Sequence, residues 1–304
     1  MMSFKELIAL IGLAALWGAS FLFIRIAAPI FGPILTIEGR VSIAALALVL
    51  YLVITRKSLG FRKRWKQYII IGALNAAIPF TLIATSALYL TASMSSILNS
   101  LTPLFTAIIV WGWMNESLSI RKCFGILVGV IGVVLLVGWS TIPFTKETII
   151  AIGLAVLSTI SYGFAGVYAK KTFVDVAPIS LAAGQQIAAS ILLIPFTIFH
   201  LPNTSNFSLI PILAVLALAL FCTAIAYLLY FYLIENVGPT KTLSVTFLIP
   251  VFGMIWGVLI LNEKITMGML IGFIVILVSV FLILDIKLPT KLPTKSKVLQ
   301  HNEL

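Results

Sequence analysis

Residues 101–129 read LTPLFTAIIVWGWMNESLSIRKCFGILVG, and residues 248–276 read LIPVFGMIWGVLILNEKITMGMLIGFIVI. The second stretch keeps Pro, Phe, Asn-Glu and a late Gly in the order of the first, although most residues between them differ. Glu116 and Glu263 lie 147 positions apart, and Pro103 and Pro250 are separated by the same distance. A constant offset between paired residues indicates that the chain contains a duplicated unit.

The composition places this duplicated chain in a lipid environment. Of its 304 residues, 61% are hydrophobic and 10% are charged, whereas soluble domains carry about 25% charged residues. Apolar runs of about 20 residues, the length of a helix that crosses a bilayer, recur along the chain. Strands of a membrane barrel would alternate apolar and polar side chains, but segments 125–137 and 271–284 show no such alternation and are apolar apart from Ser279. We therefore predict an all-α polytopic membrane protein.

The apolar runs predict ten transmembrane helices, at residues 7–27, 34–54, 67–88, 92–113, 121–139, 149–169, 177–199, 209–233, 240–261 and 266–286. The duplication divides them into two five-helix repeats, residues 1–142 and 143–286, followed by a basic cytoplasmic tail at residues 287–304. The first run is treated as a helix and not as a signal peptide, because Trp17-Gly18 has a counterpart in Tyr162-Gly163.

Lysine and arginine in short loops favour the cytoplasm. With the N-terminus inside, the outer loops hold only Lys146 and Lys264 of these residues. This predicts a cytoplasmic (inner) membrane location with both termini cytoplasmic, and it accounts for the net charge of +11 without a nucleic-acid partner. Because five is odd, the two repeats cross the membrane in opposite directions. Inverted repeats are typical of transporters; the alternative is a duplication that only builds a stable scaffold.

Several segments carry a family resemblance: LWGASFLFIR at 16–25, EGRVSIAAL at 38–46, and the two Pro-x-Phe…Asn-Glu segments. Through them nearly the whole chain resembles the ten-helix EamA-type branch of the drug/metabolite transporter superfamily. The resemblance implies a helical inner-membrane carrier of small metabolites, often an exporter of amino acids or related compounds. It does not imply the substrate.

Polar residues at helical spacing suggest where a solute binds. Ser95, Asn99, Thr102 and Thr106 share one stripe of the fourth span, and a shift of 147 brings the stripe to Thr242 and Thr246. These side chains either hydrogen-bond a solute in a midplane cavity or allow close helix packing. Pro103 and Pro250 lie within the same spans and are candidate hinges, because proline interrupts helical hydrogen bonding.

Ionisable and aromatic residues within the spans add further candidates. Arg25 and Arg40 lie about 5–10 Å from the outer face by helical rise. Charges at such depth are costly, so an anionic substrate group is one interpretation, while snorkelling to headgroups or pairing with Glu38 is the other. The deeper aromatic residues complete the predicted substrate-binding set: Trp17, Tyr162, Tyr227 and Trp256.

The repeated glutamates are expected in short turns on opposite membrane faces. Ser119 and Thr266 follow them by three residues and precede apolar runs, which predicts that they are N-caps. Glu116 and Glu263 would then lie near the positive ends of the helices that follow. We expect this structural role more than substrate or proton binding.

The sequence lacks a Gly-x-x-x-x-Gly-Lys-Ser/Thr phosphate loop, and no acidic residue falls at mid-depth of a span. These absences favour a secondary transporter of a small polar metabolite, working by alternating access without a cofactor or metal. The family resemblance implies that this metabolite is amino-acid-like or a related compound and that export is the direction. A membrane enzyme or a channel is the alternative. The expected partners are the substrate and the bilayer, and the chain acts as a monomer or homodimer.

Overall fold

The structure, a computed structural model, describes residues 2–114, 116–139, 143, 145–199 and 208–284. The tail predicted at 287–304 lies outside the described residues. Within them the chain forms ten long helices and no strand: α1 (Phe4–Phe31), α2 (Pro33–Ile54), α3 (Trp65–Ser86), α4 (Ala92–Met114), α5 (Ile120–Gly138), α6 (Lys146–Thr172), α7 (Pro178–Phe199), α8 (Leu209–Val237), α9 (Val245–Leu261) and α10 (Met267–Ile283).

Helix length confirms the ten predicted membrane helices. The first eight are long and apolar enough to cross a membrane by length and composition. Helices α9 and α10 have 17 residues each, which is about the minimum for a bilayer core. A separate helical turn, Pro239–Thr242, precedes α9, so the predicted span 240–261 is interrupted at Leu243–Ser244.

Polar caps begin the helices where the sequence predicts them. The hydroxyl of Ser119 accepts from the amide of Lys122 at the start of α5, at 3.3 Å. Thr266 caps α10 in the same way through the amide of Met269, at 3.1 Å. Both predicted N-caps are confirmed, and each satisfies one of the amides left free in a first helical turn.

The repeated glutamates lie on opposite faces of the helix bundle. Glu263 contacts the first residues of α4, with 2.6 Å between its Oε1 and the amide nitrogen of Ala92. Glu116 follows Met114, the last residue of the same helix. Because 23 residues of α4 separate the faces by about 35 Å, the two repeats run in opposite directions. We call these surfaces the Glu116 face and the Glu263 face.

The basic loops gather on the Glu116 face. Arg64, between α2 and α3, donates to the carbonyl oxygen of Thr172 at the end of α6, at 2.8 Å. Lys171 reaches the carbonyl oxygen of Trp113 near the end of α4. These contacts place the α2–α3, α4–α5 and α6–α7 connections together, as the charge pattern predicts.

The two repeats pack through exchanged helix pairs. Gly18 of α1 lies against α9, where an added Cβ would stand 2.7 Å from the Cβ of Phe252. Its counterpart Gly163 of α6 lies against α4, where a Cβ would stand 3.1 Å from the amide nitrogen of Thr106. Each repeat therefore holds a helix of the other at a glycine, which lets the backbones approach closely.

Equivalent helices pair directly at the sides of the bundle. Helix α2 meets α7 through the hydroxyls of Ser42 and Ser190, 2.7 Å apart. Helix α5 meets α10 where Ser279 donates to the carbonyl oxygen of Gly125, at 2.7 Å. These lateral pairs leave most of the space between the repeats to α1, α3, α4, α6, α8 and α9, and α2 reaches it through Arg40.

Candidate functional site

A cavity of about 620 Å³ lies between the repeats, within the size range of small-molecule sites. Seven of the eleven predicted substrate-binding residues and both predicted hinge prolines line it: Trp17, Arg40, Asn99, Thr102, Tyr162, Tyr227, Thr246, Pro103 and Pro250. Thr106, which shares the stripe of the fourth span but is not one of these eleven, lines it as well. The structure therefore brings together residues from both repeats that are distant in sequence. Their contact with substrate remains a prediction.

Four predicted residues lie outside the cavity lining: Arg25, Ser95, Thr242 and Trp256. The guanidinium of Arg25 donates to the carbonyl oxygen of Ala87 just after α3. The indole nitrogen of Trp256 donates to the carbonyl oxygen of Ala15, at 3.0 Å. In this structure these two side chains tie helices together and do not face the cavity.

The other two lie on the polar stripes. Thr242 is buried and donates to the carbonyl oxygen of Gly238 at 2.9 Å, while Ser95 is buried with its hydroxyl unpartnered among the described residues. Each stripe thus splits, since Asn99 and Thr246 reach the cavity and their neighbours one turn earlier do not. The packing interpretation suits Ser95 and Thr242, and the cavity interpretation suits Asn99 and Thr246.

Two π-helical turns flank the cavity at equivalent positions. They span Ala73–Ala77 in α3 and Leu220–Ile225 in α8, and their first residues are 147 apart. Such turns widen a helix and are frequent at functional sites. They present Asn75 and Cys222, again 147 apart, to the cavity. Asn75 is not among the residues predicted from sequence, where its signal is an amide within a largely apolar span.

A hydrogen-bonded chain of polar side chains crosses from one repeat to the other. The amide of Asn75 donates to Gln185 Oε1 at 2.8 Å, and Gln185 Nε2 donates to the hydroxyl of Tyr227 at 2.6 Å. Gln185 is buried in α7 and itself stands outside the cavity lining. It fixes the positions of Asn75 and Tyr227, because both of its polar atoms are used.

Arg40 is the buried cation of the cavity. Its side chain is 5% exposed, its Nε donates to Thr223 Oγ1 at 2.9 Å, and its guanidinium carbon lies 3.6 Å from the centre of the Phe80 ring. Glu38 does not pair with it in the described structure. Instead Glu38 accepts from the hydroxyls of Ser42 and Ser190. Neither snorkelling nor pairing with Glu38, the alternatives considered from sequence, occurs.

The cavity is sealed toward the Glu263 face. Glu263 comes from the α9–α10 turn, and its carboxylate accepts from the amides of Ala92 and Ser93 at 2.6 and 3.0 Å and from the hydroxyl of Ser93 at 2.6 Å. The expectation from sequence, that this carboxylate lies near the start of α10, the helix that follows it, is therefore wrong. The carboxylate caps α4 of the other repeat instead. A carboxylate suits this position because the first amides of a helix are free donors at its positive end.

Close packing of α4 against α9 completes the seal. Gly257 of α9 lies against Ser93, where an added Cβ would stand 2.6 Å from the hydroxyl oxygen. Gly253 lies against Ser96 with no room for a Cβ. The two helices therefore cross in close contact between the cavity and the Glu263 face.

On the opposite side the cavity extends to the Glu116 face. Glu116, Lys122, Lys170 and Leu284 belong to its lining, and they come from four chain segments near that face. Glu116 is exposed, and no hydrogen bond or ion pair joins it to another described residue. The equivalent glutamates thus differ, since Glu263 is engaged and Glu116 lies at an open mouth.

The helices that carry the repeated prolines, Pro103 in α4 and Pro250 in α9, also differ. Helix α4 is broken at Ser100–Leu101, just before Pro103, whereas α9 continues through Pro250 and the break precedes it at Leu243–Ser244. A mid-membrane break in regular backbone is tolerated where it lines a cavity. The hinge assignment for both prolines remains a prediction.

Comparison with known proteins agrees with this architecture. The family model described as the EamA-like transporter family matches residues 4–138 and 149–285, which together are most of the chain. This chain belongs to the EamA-like transporter family. It is accordingly a multi-pass membrane protein of a transporter family, as the resemblance seen in the sequence implied.

Relatives of this EamA-like transporter carry transporter names. The uncharacterized transporter YvbV of Bacillus subtilis is 27% identical over 89% of this chain and 88% of its own length. An uncharacterized transporter of Archaeoglobus fulgidus is 26% identical over 88% of this chain and 93% of its own. A chloroplastic WAT1-related protein of Arabidopsis thaliana is 26% identical over 92% and 70%.

A solved crystal structure shares the fold. It covers 90% of this EamA-like chain and 95% of its own, with a TM-score of 0.64 and 18% identity. At this identity the likeness concerns the fold alone. Substrate and mechanism must be argued from the cavity.

Proposed function

We propose that this chain is a secondary carrier that moves a small polar metabolite across the cytoplasmic membrane by alternating access. The observation that carries the proposal is the difference between the two repeat-equivalent glutamates. Glu263 seals one end of the cavity by capping α4, while Glu116 stands exposed at the other end. Two similar halves with unlike packing are expected of a carrier held in one of its two states.

The repeat offset indicates how the second state forms. Ala92 and Ser93, which bind Glu263, correspond to Pro239 and Thr240, directly before Lys241. Proline has no backbone N–H, so in the opposite state Glu116 would accept from the amide of Thr240, with Lys241 adding an opposite charge. The Glu116 face would close as the Glu263 face opens.

The positive loops support a cytoplasmic Glu116 face, so the described state would accept solute from the cytoplasm. An amino-acid-like or related compound is the class that the family resemblance suggests, and export is the direction suggested with it. The cytoplasmic side thus follows from loop charge, and the compound class and the export direction follow from the family resemblance.

Exchange across vesicles tests the carrier mechanism. Purified protein is reconstituted, the vesicles are loaded with an extract of cell metabolites, and uptake of the labelled extract is followed. A carrier gives faster uptake when the same compounds are present inside, because loaded states interconvert. Uptake that is unchanged by internal solute indicates a channel and overturns alternating access.

Glu116→Ala is expected to slow this exchange about tenfold or more, because the closed state of the Glu116 face loses the charge-assisted hydrogen bond from the amide of Thr240. Glu235→Ala is the matched control. Glu235 is also an exposed glutamate, and it lies at the C-terminal end of α8, on the side of the Glu116 face. The control should exchange at the wild-type rate. Equal rates for Glu116→Ala and wild type would contradict the proposed contact of Glu116 with the segment before α9.

Asn99→Leu and Thr246→Val are expected to weaken solute binding, each by about tenfold, and to do so non-additively through a shared solute. Both residues line the cavity from opposite repeats. Binding and thermal stability in detergent are measured on the same variants. A loss of stability with unchanged affinity would show that these side chains only pack.

A further inference from the structure

The charges around the cavity are unbalanced. Arg40 is a buried cation in its inner part, and Lys122 and Lys170 stand at its mouth, whereas Glu116 is the sole carboxylate among the described lining residues. Glu116 is exposed at the face. A solute that has passed the mouth therefore meets one positive charge and no negative one.

The Arg40 guanidinium is held so that only one edge is free. Thr223 accepts from Nε, and the ring of Phe80 covers one face of the group. No hydrogen bond or ion pair links its two terminal nitrogens to any described residue. An uncompensated cation in lipid surroundings is costly, so this edge is suited to an acceptor brought by the solute.

The shape of that edge specifies the acceptor. Two parallel N–H groups match the two oxygens of a planar carboxylate. Glu38 does not serve as this acceptor in the described structure: its Oε1 receives the hydroxyl of Ser190 at 2.9 Å and that of Ser42, and its Oε2 has no hydrogen-bond partner among the described residues and does not line the cavity. Because Arg40 carries one positive charge without an ionic partner, a solute with one negative charge would balance it.

The remaining walls specify the rest of the solute. Trp17, Phe21, Phe80 and Tyr230 supply apolar surface, which suits an aromatic or branched aliphatic body. Among the described residues that line the cavity, the buried polar atoms without a hydrogen-bond partner are Asn99 Oδ1 and Ser20 Oγ, and both are neutral. They can receive a hydroxyl or amide proton, but they do not neutralise an ammonium group.

We propose that the cavity selects an organic monocarboxylate with an apolar body and no compensating positive charge, bound through the terminal nitrogens of Arg40. The inference rests on the proposed carrier function and narrows it. It departs from the amino-acid-like class that the family resemblance suggests, because a zwitterion brings an ammonium that no described carboxylate within the cavity can pair.

Four compounds that share one aromatic body test the selection: 3-phenylpropanoate, its primary amide, phenylalanine and 3-phenylpropylamine. Binding to the purified full-length protein in lipid nanodiscs is followed by quenching of tryptophan fluorescence. We expect the carboxylate to bind at least about thirtyfold more tightly than the amide or the amine, as the loss of one partner of a buried charge pair predicts. Phenylalanine should bind at least about tenfold more weakly than 3-phenylpropanoate.

Arg40→Gln should remove the preference for carboxylate over amide, and Arg40→Lys should retain only part of it, because lysine keeps the charge and loses the fork. Arg64→Gln is the control, since Arg64 binds a backbone carbonyl on the Glu116 face outside the cavity. Thermal unfolding of each variant identifies any that fail to fold. A folded Arg40→Lys with wild-type carboxylate preference overturns the bidentate contact.

The vesicle exchange assay separates this inference from the carrier proposal. The monocarboxylate assignment is overturned if 3-phenylpropanoate does not inhibit the exchange of extract compounds. It is also overturned if the amide or phenylalanine inhibits this exchange equally well. Either result leaves the carrier proposal in place. Selective binding of 3-phenylpropanoate in nanodiscs without any vesicle exchange supports the assignment of the site and overturns transport.

Discussion

In Glu263→Ala, the rate at which an impermeant thiol reagent reaches the cavity from the Glu263 face is expected to rise about a hundredfold. The carboxylate receives three hydrogen bonds from Ala92 and Ser93, and hydrogen bonds to charged groups contribute about 1.5–3 kcal/mol each. Water can replace the carboxylate in part, so the net loss is smaller than the sum of the three, and a net loss of about 3 kcal/mol from one of two states shifts their ratio by about two orders of magnitude. The reporter is Ser96→Cys, because Ser96 lies between the cavity and the seal.

The reporter requires Cys123 and Cys222 to be replaced by serine or alanine, because Cys123 is exposed and Cys222 lines the cavity. Lys264→Ala is the control, since Lys264 is the exposed neighbour of Glu263 in the α9–α10 turn. It should leave labelling unchanged. Glu263→Gln should give an intermediate rate, because an amide accepts more weakly than a carboxylate. Equal labelling of Glu263→Ala and the control, with both proteins folded, would show that the seal does not depend on the carboxylate.

Helix number and inverted topology could be predicted because they depend on patterns that the sequence records directly. Apolar runs set the spans, and the offset between Glu116 and Glu263 sets the duplication. The N-caps Ser119 and Thr266 were predictable for a similar reason, since capping is local. Properties fixed within one helix or by the repeat were therefore accessible from sequence.

The partner of Glu263 was not predictable, because it depends on contact between the repeats. From sequence, the carboxylate is nearest to the start of α10, yet it binds α4 of the other repeat. The offset states that Glu116 and Glu263 are equivalent, and it does not state which of them is engaged in a given conformation. A structure adds that information.

The two arginines, Arg25 of α1 and Arg40 of α2, illustrate the same limit. Arg25 and Arg40 have similar predicted depth, yet Arg25 binds the carbonyl of Ala87 and Arg40 lines the cavity. The direction of Arg40 depends on Thr223, which a π-helical turn places beside it. That turn, Leu220–Ile225, is apolar apart from Cys222 and Thr223 and contains no glycine or proline, so the sequence carried little local signal for it.

The second large effect concerns the glycines where the repeats exchange helices. Gly18→Ala is expected to lower the free energy of unfolding by about 2–3 kcal/mol, in the range of overpacked substitutions. An added Cβ would stand 2.9 Å from the amide nitrogen of Gly253 and from the carbonyl oxygen of Ile249. These are backbone atoms, so relief requires α1 and α9 to separate.

The same change at other glycines supplies the comparison. Gly163→Ala should cost less, about 1 kcal/mol, because the nearest atom is the flexible end of Ile109. Gly12 of α1 meets only Leu229, at 3.9 Å, and Gly153 of α6 has open space. Alanine at Gly12 or Gly153 should leave stability unchanged or raise it by up to about 1 kcal/mol, since alanine favours helix over glycine.

Thermal and denaturant unfolding of the four variants in one detergent measures these differences. The order Gly18→Ala, then Gly163→Ala, then the two controls is expected from the distances alone. Because Gly18 and Gly163 are equivalent in the repeats, a general requirement for small residues would affect both equally. Equal losses at Gly18 and Gly163, or a loss at Gly12 as large as at Gly18, would contradict the close approach of α1 to the backbone of α9 and with it the exchanged packing on which the cavity depends.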